Sequence, residues 1–241
     1  MHTPATYTLV ALSLLFGSNA MSATSLTNWG TLATISQYTC ISDFCGADSP
    51  GEIAALLNML AVGPTDGAAG QTSANVSSGS WPTPGSASGT ATVSTGLGIP
   101  ILKAGATSPA NTRLGGQALA IQAYEYTGQD LSLITLNWHL TGSISNPDAD
   151  PLTGLVVFAG FFNAAQLPTF PDVATPINAY TLLAGLALAS PADNFREFTI
   201  QNASANESGT IAIQVANGDA FYLIMGLLAG AGGCWRDWRV G

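Results

Sequence analysis

The sequence predicts a mainly β protein, an antiparallel β-sandwich or jelly roll with a short helix near residues 50–61. Three observations predict it. From residue 89 onward, apolar and polar residues alternate with a period of two, in runs separated by Gly, Pro and Asn clusters. Only 8% of the 241 residues are charged, so long helices with a Glu- and Lys-rich wet face have no material to form from. The chain holds 27 Gly and 13 Pro, yet 47% of its residues are hydrophobic, which suits many turns around a real core rather than disorder.

Along the chain, Tyr7 to Gly17 (YTLVALSLLFG) is an apolar run of the length of a signal-peptide core, too short to span a bilayer comfortably. Ser18-Asn19-Ala20 has the small-x-Ala pattern that signal peptidase accepts, and a second cut is available after Ala23. The charge ahead of the run comes from His2 and the α-amino group rather than from Lys or Arg. The competing reading is a buried N-terminal strand or helix. Residues 1–23 are therefore expected to be a signal peptide, with no stable membrane span left after cleavage. Residues 24–88 follow as an N-terminal region and 89–241 as the β-sandwich domain, unless the two form a single domain.

In the N-terminal region, Ser49 is placed as an N-cap, Pro50 in the first turn and Glu52 at the capping-box position before IAALLNMLA. That predicts the short helix, which Gly63-Pro64 would end. Residues 63–89 are low in complexity and read as a loop or linker, with Trp81 as their one aromatic. Strands are then predicted over Thr90–Thr95, Gln117–Thr127, Leu131–Ile144, Leu155–Phe162, Ala179–Ala189, Phe195–Gln201, Thr210–Val215 and Ala220–Leu228. The run 131–144 is the clearest. Ile134, Leu136, Trp138, Leu140 and Ile144 share one face, and Thr135, Asn137, His139 and Thr141 the other, as in a sheet with one wet side. Asn217-Gly218-Asp219 supplies the last turn.

The chemistry available is narrow. Five Lys and Arg against fourteen Asp and Glu, a net charge of −9, leave no basic stripe for phosphates and exclude nucleic-acid binding. With residues 1–23 removed, His139 is the only histidine, so any Ser-His-Asp or Cys-His mechanism would run through it; a solvated strand residue is the plainer reading. Cys40 and Cys45, in CISDFC, are spaced for a small disulfide loop in an oxidising compartment, with Cys234 left over. Asp148 and Asp150 in NPDADP offer oxygens suited to calcium, the only metal the sequence suggests, against the alternative of a solvated turn. Glu125, Glu197 and Glu207 are candidates for a glycosidase pair, or ordinary surface carboxylates. Tyr124, Tyr126 and Trp81 are the aromatics for stacking on a sugar ring, with core packing as the alternative for the two tyrosines.

The stretch QALAIQAYEYTGQDLSLITLNWHLTGSISNP, followed by VANGDAFYLIMGLLAGAGG, resembles bacterial exported proteins of the PEP-CTERM (exosortase-sorted) type. The resemblance rests on Tyr124, Tyr126, Thr127 and Gly128 at one strand end, then Leu140, Gly142 and Ile144 at the next. Gly218, Asp219, Phe221 and Tyr222 match at a later strand entry. It covers about half of the chain after residue 23. It implies an extracytoplasmic β-sandwich tied to the cell surface or polysaccharide matrix, and it carries over no catalytic residue. The terminal Pro-Glu-Pro, membrane helix and Arg cluster of that type are not in this sequence, which leaves two readings of the C-terminus open: truncation or a frame shift after Gly233, or a final strand ending in a glycine turn. Together these readings predict a secreted or cell-surface structural or interaction protein, not an enzyme, whose partners are extracellular polysaccharide or other envelope proteins. A carbohydrate-binding module is the alternative, and a secreted hydrolase the next.

Overall fold

The computed structural model describes residues 5–8, 13–16, 23–39, 61–67, 71–78, 85–93, 100–108, 112–128, 132–143, 154–163, 195–200 and 204–231. These residues form thirteen strands and no α-helix. In chain order the strands are β1 (Ala5–Thr8), β2 (Ser13–Phe16), β3 (Ala23–Thr39), β4 (Ala61–Asp66), β5 (Ser73–Ser77), β6 (Ser86–Thr92) and β7 (Ile101–Thr107). They continue with β8 (Thr112–Tyr126), β9 (Ser132–Ser143), β10 (Gly154–Asn163), β11 (Phe195–Ile200), β12 (Ser204–Val215) and β13 (Ala220–Ala231). The mainly antiparallel-β expectation therefore holds.

The strands make two sheets. One runs β12-β9-β1-β7-β6-β5, with β2 also paired to β9, and the other runs β11-β10-β13-β8-β3-β4. Every pairing within them is antiparallel. The strands alternate inward and outward, so inward side chains from both sheets meet. Leu102 and Ala104 of β7, Leu136 and Leu140 of β9 and Ile211 of β12 share one buried cluster with Ala118 and Tyr124 of β8, Phe161 of β10 and Leu223 of β13. A second, smaller cluster joins Val76 of β5, Ala87 of β6 and Ala106 of β7 to Ile35 of β3 and Leu114 of β8.

Between the two clusters the sheets touch through glycine. A Cβ on Gly116 of β8 would strike the carbonyl oxygens of Ser88 and Gly105, which are paired across β6 and β7. In return, a Cβ on Gly89 of β6 would strike the carbonyl oxygen of Gln117. Stacked sheets usually sit about 10 Å apart because side chains fill the gap. Here one backbone lies directly on another, and the inward residues nearby, Ala87, Ala91, Ala104, Ala106 and Ala118, are small to match.

The second sheet is buried on both sides. Ile121 of β8 and Ile224 of β13 face away from the first sheet, opposite each other in register, and each is only 1% exposed. Leu32 of β3 and Leu119 of β8 form a similar buried pair on that side.

Several sequence expectations need correction. The segment 63–89, read as a loop, contains most of β4, all of β5 and the start of β6. Its inward positions are Ala74, Val76, Ala87 and Gly89, residues small enough for the glycine contact and therefore weak as an apolar signal. The predicted helix near 50–61 lies outside the described residues except for Ala61, which opens β4 as a strand residue. Gly63-Pro64 sits within β4. Pro64 is tolerated there because β4 is the last strand of its sheet. Strands β3 and β7 carry no prediction at all, and β3 pairs with β8 to join chain before residue 89 to chain after it. The predicted strand Ala179–Ala189 lies outside the described residues.

The Asn217-Gly218 turn is where the sequence puts it, but it does not close a hairpin. It carries the chain from β12 in one sheet to β13 in the other. The Asp219 amide donates to the Ala216 carbonyl at 3.0 Å, the Ala216 amide to Asp219 Oδ2 at 2.7 Å, and the Gly218 amide to the Tyr126 carbonyl at 2.7 Å. Gly218 has φ +87°, as a turn of this kind requires, and its missing Cβ would meet nothing within 4 Å. Gly218→Ala should thus cost only the left-handed strain, about 1 kcal/mol in urea unfolding, with no change of fold.

Candidate functional site

The outward face of the first sheet gathers the polar residues that alternation assigns to solvent. Short polar side chains directly opposite each other on antiparallel strands have Cβ atoms about 5 Å apart, close enough to bond across the strand gap. That is what the register does here. Thr210 Oγ1 donates to Asn137 Oδ1 at 2.7 Å between β12 and β9, and His139 Nδ1 and Ser208 Oγ are 2.7 Å apart one pair along. Thr90 Oγ1 donates to Asn75 Oδ1 at 3.1 Å between β6 and β5. The hydroxyls of Ser86 and Thr107 hydrogen-bond between β6 and β7, and Thr92 Oγ1 donates to the Ile101 carbonyl at 3.3 Å. These contacts brace a face that presents hydroxyl and amide groups. Lys103 and Leu133 also stand exposed on it, Leu133 at 63%.

What such a face can offer a partner is many weak neutral hydrogen bonds, each worth about 1 kcal/mol or less net. It suits a broad hydrated surface better than a small charged ligand. His139 belongs to this pattern: its Nδ1 and Ser208 Oγ hydrogen-bond across a solvent-facing strand pair.

Of the residues singled out for sugar stacking, Tyr124 and Tyr126 are placed in the core. They are 2% and 4% exposed. The Tyr124 ring stacks on Phe221 with centroids 5.4 Å apart and planes 24° from parallel, and Phe161 meets Phe221 edge-on at 5.7 Å. Burial pushes the Tyr124 phenol well above its ordinary pKa, so it stays neutral. Tyr126 spends its hydroxyl on Ser132 Oγ at 2.7 Å. Neither ring has a face left for a sugar, because both lie on the inward side of β8. Trp81, the calcium candidates Asp148 and Asp150, and the disulfide candidates Cys40 and Cys45 lie outside the described residues.

Among the glutamates, Glu125 is on β8 and Glu197 on β11, with β13 and β10 between them. Three strand spacings across the sheet, with Glu125 level with Ala220 of β13 and Glu197 level with Gly226, put those backbones roughly 24 Å apart, too far for a glycosidase pair. Glu207 is exposed on β12 in the other sheet. No group of three or more His, Cys, Asp or Glu placed to hold a metal occurs among the described residues. No helix long and apolar enough to cross a membrane occurs among the described residues.

Sequence reasoning missed Asp66, at the end of β4. Its Oδ2 accepts the Asn75 amide at 2.8 Å and its Oδ1 accepts Gln71 Nε2 at 3.0 Å. Gln71 in turn donates to the Ser73 carbonyl at 2.6 Å, and its own carbonyl accepts Thr31 Oγ1 at 3.0 Å. The Asn75 hydrogen bond, followed by that of Gln71, holds the Asp66 carboxyl below its ordinary value of 3.8. A carboxylate depressed on folding stabilises the protein above its unfolded-state pKa, and that stabilisation is lost as pH falls through the folded value. Denaturation measured from neutral pH downward should therefore show the gap between wild type and Asp66→Asn closing below about pH 4. The gap itself should be under about 1 kcal/mol, because solvent screens this partly exposed group.

These features define an antiparallel β protein of two facing sheets with one polar, cross-strand-bonded outer face. No protein-family model matches the chain, and no curated protein and no solved structure matches it either.

Proposed function

We propose that the protein is exported, with residues 1–23 removed, and serves as a structural or interaction component of the bacterial envelope or extracellular matrix, with no catalysis in its role. The observation that carries this reading is the outer face of the first sheet, where hydroxyls and amides are bonded to one another across the strands. A surface of that chemistry adheres to hydrated polymers and to other polar proteins. The apolar run Tyr7–Gly17 and the resemblance to exosortase-sorted proteins support the extracytoplasmic part of the reading.

Carbohydrate binding is the second reading, favoured by the same face and no longer dependent on Tyr124 or Tyr126. Affinity electrophoresis through matrix polysaccharides separates the two: retardation that Asn137→Ala with Thr210→Ala abolishes makes the face a glycan surface, whereas unchanged mobility on every glycan leaves protein partners. Export is tested by fractionating the producing cells and sequencing the N-terminus. The expected product starts at Met21 or Thr24 outside the cytoplasm, and a cytosolic chain retaining Met1 overturns the proposal. A hydrolytic role would lose its support if His139→Ala left every detectable activity intact.

A further inference from the structure

We propose that Asn217 is a self-modification site guarded by the fold: it loses its side-chain nitrogen, becoming aspartate or isoaspartate, only when the turn between β12 and β13 opens. The site rests on that turn alone and is independent of export. Asn217 is the one asparagine of the chain that precedes a glycine. In a free Asn-Gly pair the glycine amide nitrogen attacks the side-chain carbonyl carbon, and no Cβ on the glycine stands in its way. Asparagine is thermolabile for this reason. Asn217 and Gly218 are both exposed, so water reaches the pair.

The step needs only water. The Gly218 nitrogen gives up its proton and bonds to Asn217 Cγ, while the Cγ–Nδ2 bond breaks and ammonia leaves. Water then opens the cyclic imide. Breaking the bond from Cγ to the Gly218 nitrogen leaves aspartate. Breaking the one from the main-chain carbonyl carbon leaves isoaspartate, whose backbone runs through Cγ and is longer by one methylene. Either product adds a carboxylate to a chain already at net charge −9. Asp66-Gly67 is the comparable pair at the other glycine of positive φ, +124°. There the Asn75 amide and Gln71 Nε2 hold the carboxyl ionised, and a carboxylate resists attack by nitrogen.

The folded turn withholds the nitrogen. Gly218 donates its proton to the Tyr126 carbonyl at 2.7 Å. To reach Cγ the nitrogen must shed that proton and swing about the Asn217 Cα–C bond. The swing strains the bonds on either side. These run from the Asp219 amide to the Ala216 carbonyl at 3.0 Å, from the Tyr126 amide to the Asp219 carbonyl at 2.8 Å, and from the Ala216 amide to Asp219 Oδ2 at 2.7 Å. Tyr126 ends β8, so the same bonds fasten the crossover from β12 to the second sheet. Modification therefore runs at the unfolded-state rate multiplied by the fraction of molecules with the turn open. Isoaspartate does not restore the turn, because its extra methylene changes the spacing from Ala216 to Asp219. An opening that ends in modification is kept as a permanent mark.

The test incubates the full chain in mildly alkaline buffer made with heavy-oxygen water, either folded or in urea above its midpoint. Tandem mass spectrometry then reads the tryptic peptide 197–236, which holds Asn202, Asn206 and Asn217. In urea, Asn217 should take up the label ahead of the other two. The folded protein should react at least about tenfold more slowly, as fits a turn held by four hydrogen bonds. Asp219→Ala, which removes the bond from Oδ2 to the Ala216 amide, should raise the folded rate severalfold and leave the rate in urea unchanged. Equal rates in the folded and unfolded chain, or a folded Asp219→Ala protein that reacts no faster than wild type, overturns the guard. Modification in urea that begins at Asn202 or Asn206 overturns the site. If Asp219→Ala does not fold, hydrogen exchange at the Gly218 amide of the wild type takes its place. Exchange and modification should then rise together as urea approaches the midpoint, and exchange that rises alone overturns the guard.

Discussion

Gly116→Ala should destabilise the protein by about 3 kcal/mol, read as a lowered urea midpoint at unchanged slope. One methyl group has that effect because of where it goes. The added Cβ would overlap the Ser88 carbonyl oxygen and lie 2.5 Å from that of Gly105. Both oxygens belong to backbone, held in register where β6 pairs with β7, so no side chain can swing aside. The sheets must separate locally, and the small residues beside the contact, Ala87, Ala104, Ala106 and Ala118, then lose their neighbours. Ser88→Ala is the control: its side chain is exposed on the outer face and its removal should change stability by less than about 0.5 kcal/mol. Equal effects from the two substitutions would refute the backbone contact.

Phe221→Ala should cost about 4 kcal/mol, with urea unfolding again the measurement. Phe221 is 3% exposed at the start of β13, stacked on Tyr124 and met edge-on by Phe161. Its loss leaves a cavity bordered by two rings from neighbouring strands, neither of which can follow it without leaving its own register position. A double-mutant cycle of Phe221→Leu with Phe161→Leu should return a coupling of about 1 kcal/mol, the share due to ring geometry beyond buried area. Additive losses would assign the whole effect to area.

How much of this was legible in the sequence depends on side-chain size. β9 was legible because Ile134, Leu136 and Leu140 alternate with Thr135, Asn137 and His139, and the structure buries the first three while leaving the others partly exposed. β5 and β6 alternate just as regularly, Ser73-Ala74-Asn75-Val76-Ser77 and Ser86-Ala87-Ser88-Gly89-Thr90. Their inward residues are small because another backbone lies against them, so the pattern resembled a linker. β3 was illegible for a different reason: Leu32, Ala33, Thr34 and Ile35 are all buried, since both faces of its sheet are covered and no alternation survives. The polar outer face was half legible. Thr135, Asn137, His139 and Thr141 could be assigned to solvent from periodicity, but their partners on β12 depend on a register between residues some seventy positions apart. For Tyr124 and Tyr126 sugar stacking and core packing both stayed open, because an alternating strand gives the parity of a residue and not which parity faces the core; burial decides for packing.

On the export reading proposed above, the pairing of β1 with β7 and β9 sets a race inside the producing cell. Residues 5–8 dock on partners about a hundred positions later in the chain, and β12 and β13 find theirs across similar distances. Closing such long loops makes folding slow compared with helical proteins of this size. A translocation machine can take the N-terminal segment only while it is unpaired. Once the first sheet closes over it, a segment that served as a leader would be locked inside the structure it was to deliver. For an exported chain slow folding is then an advantage: it would keep such a leader available long enough for export to come first.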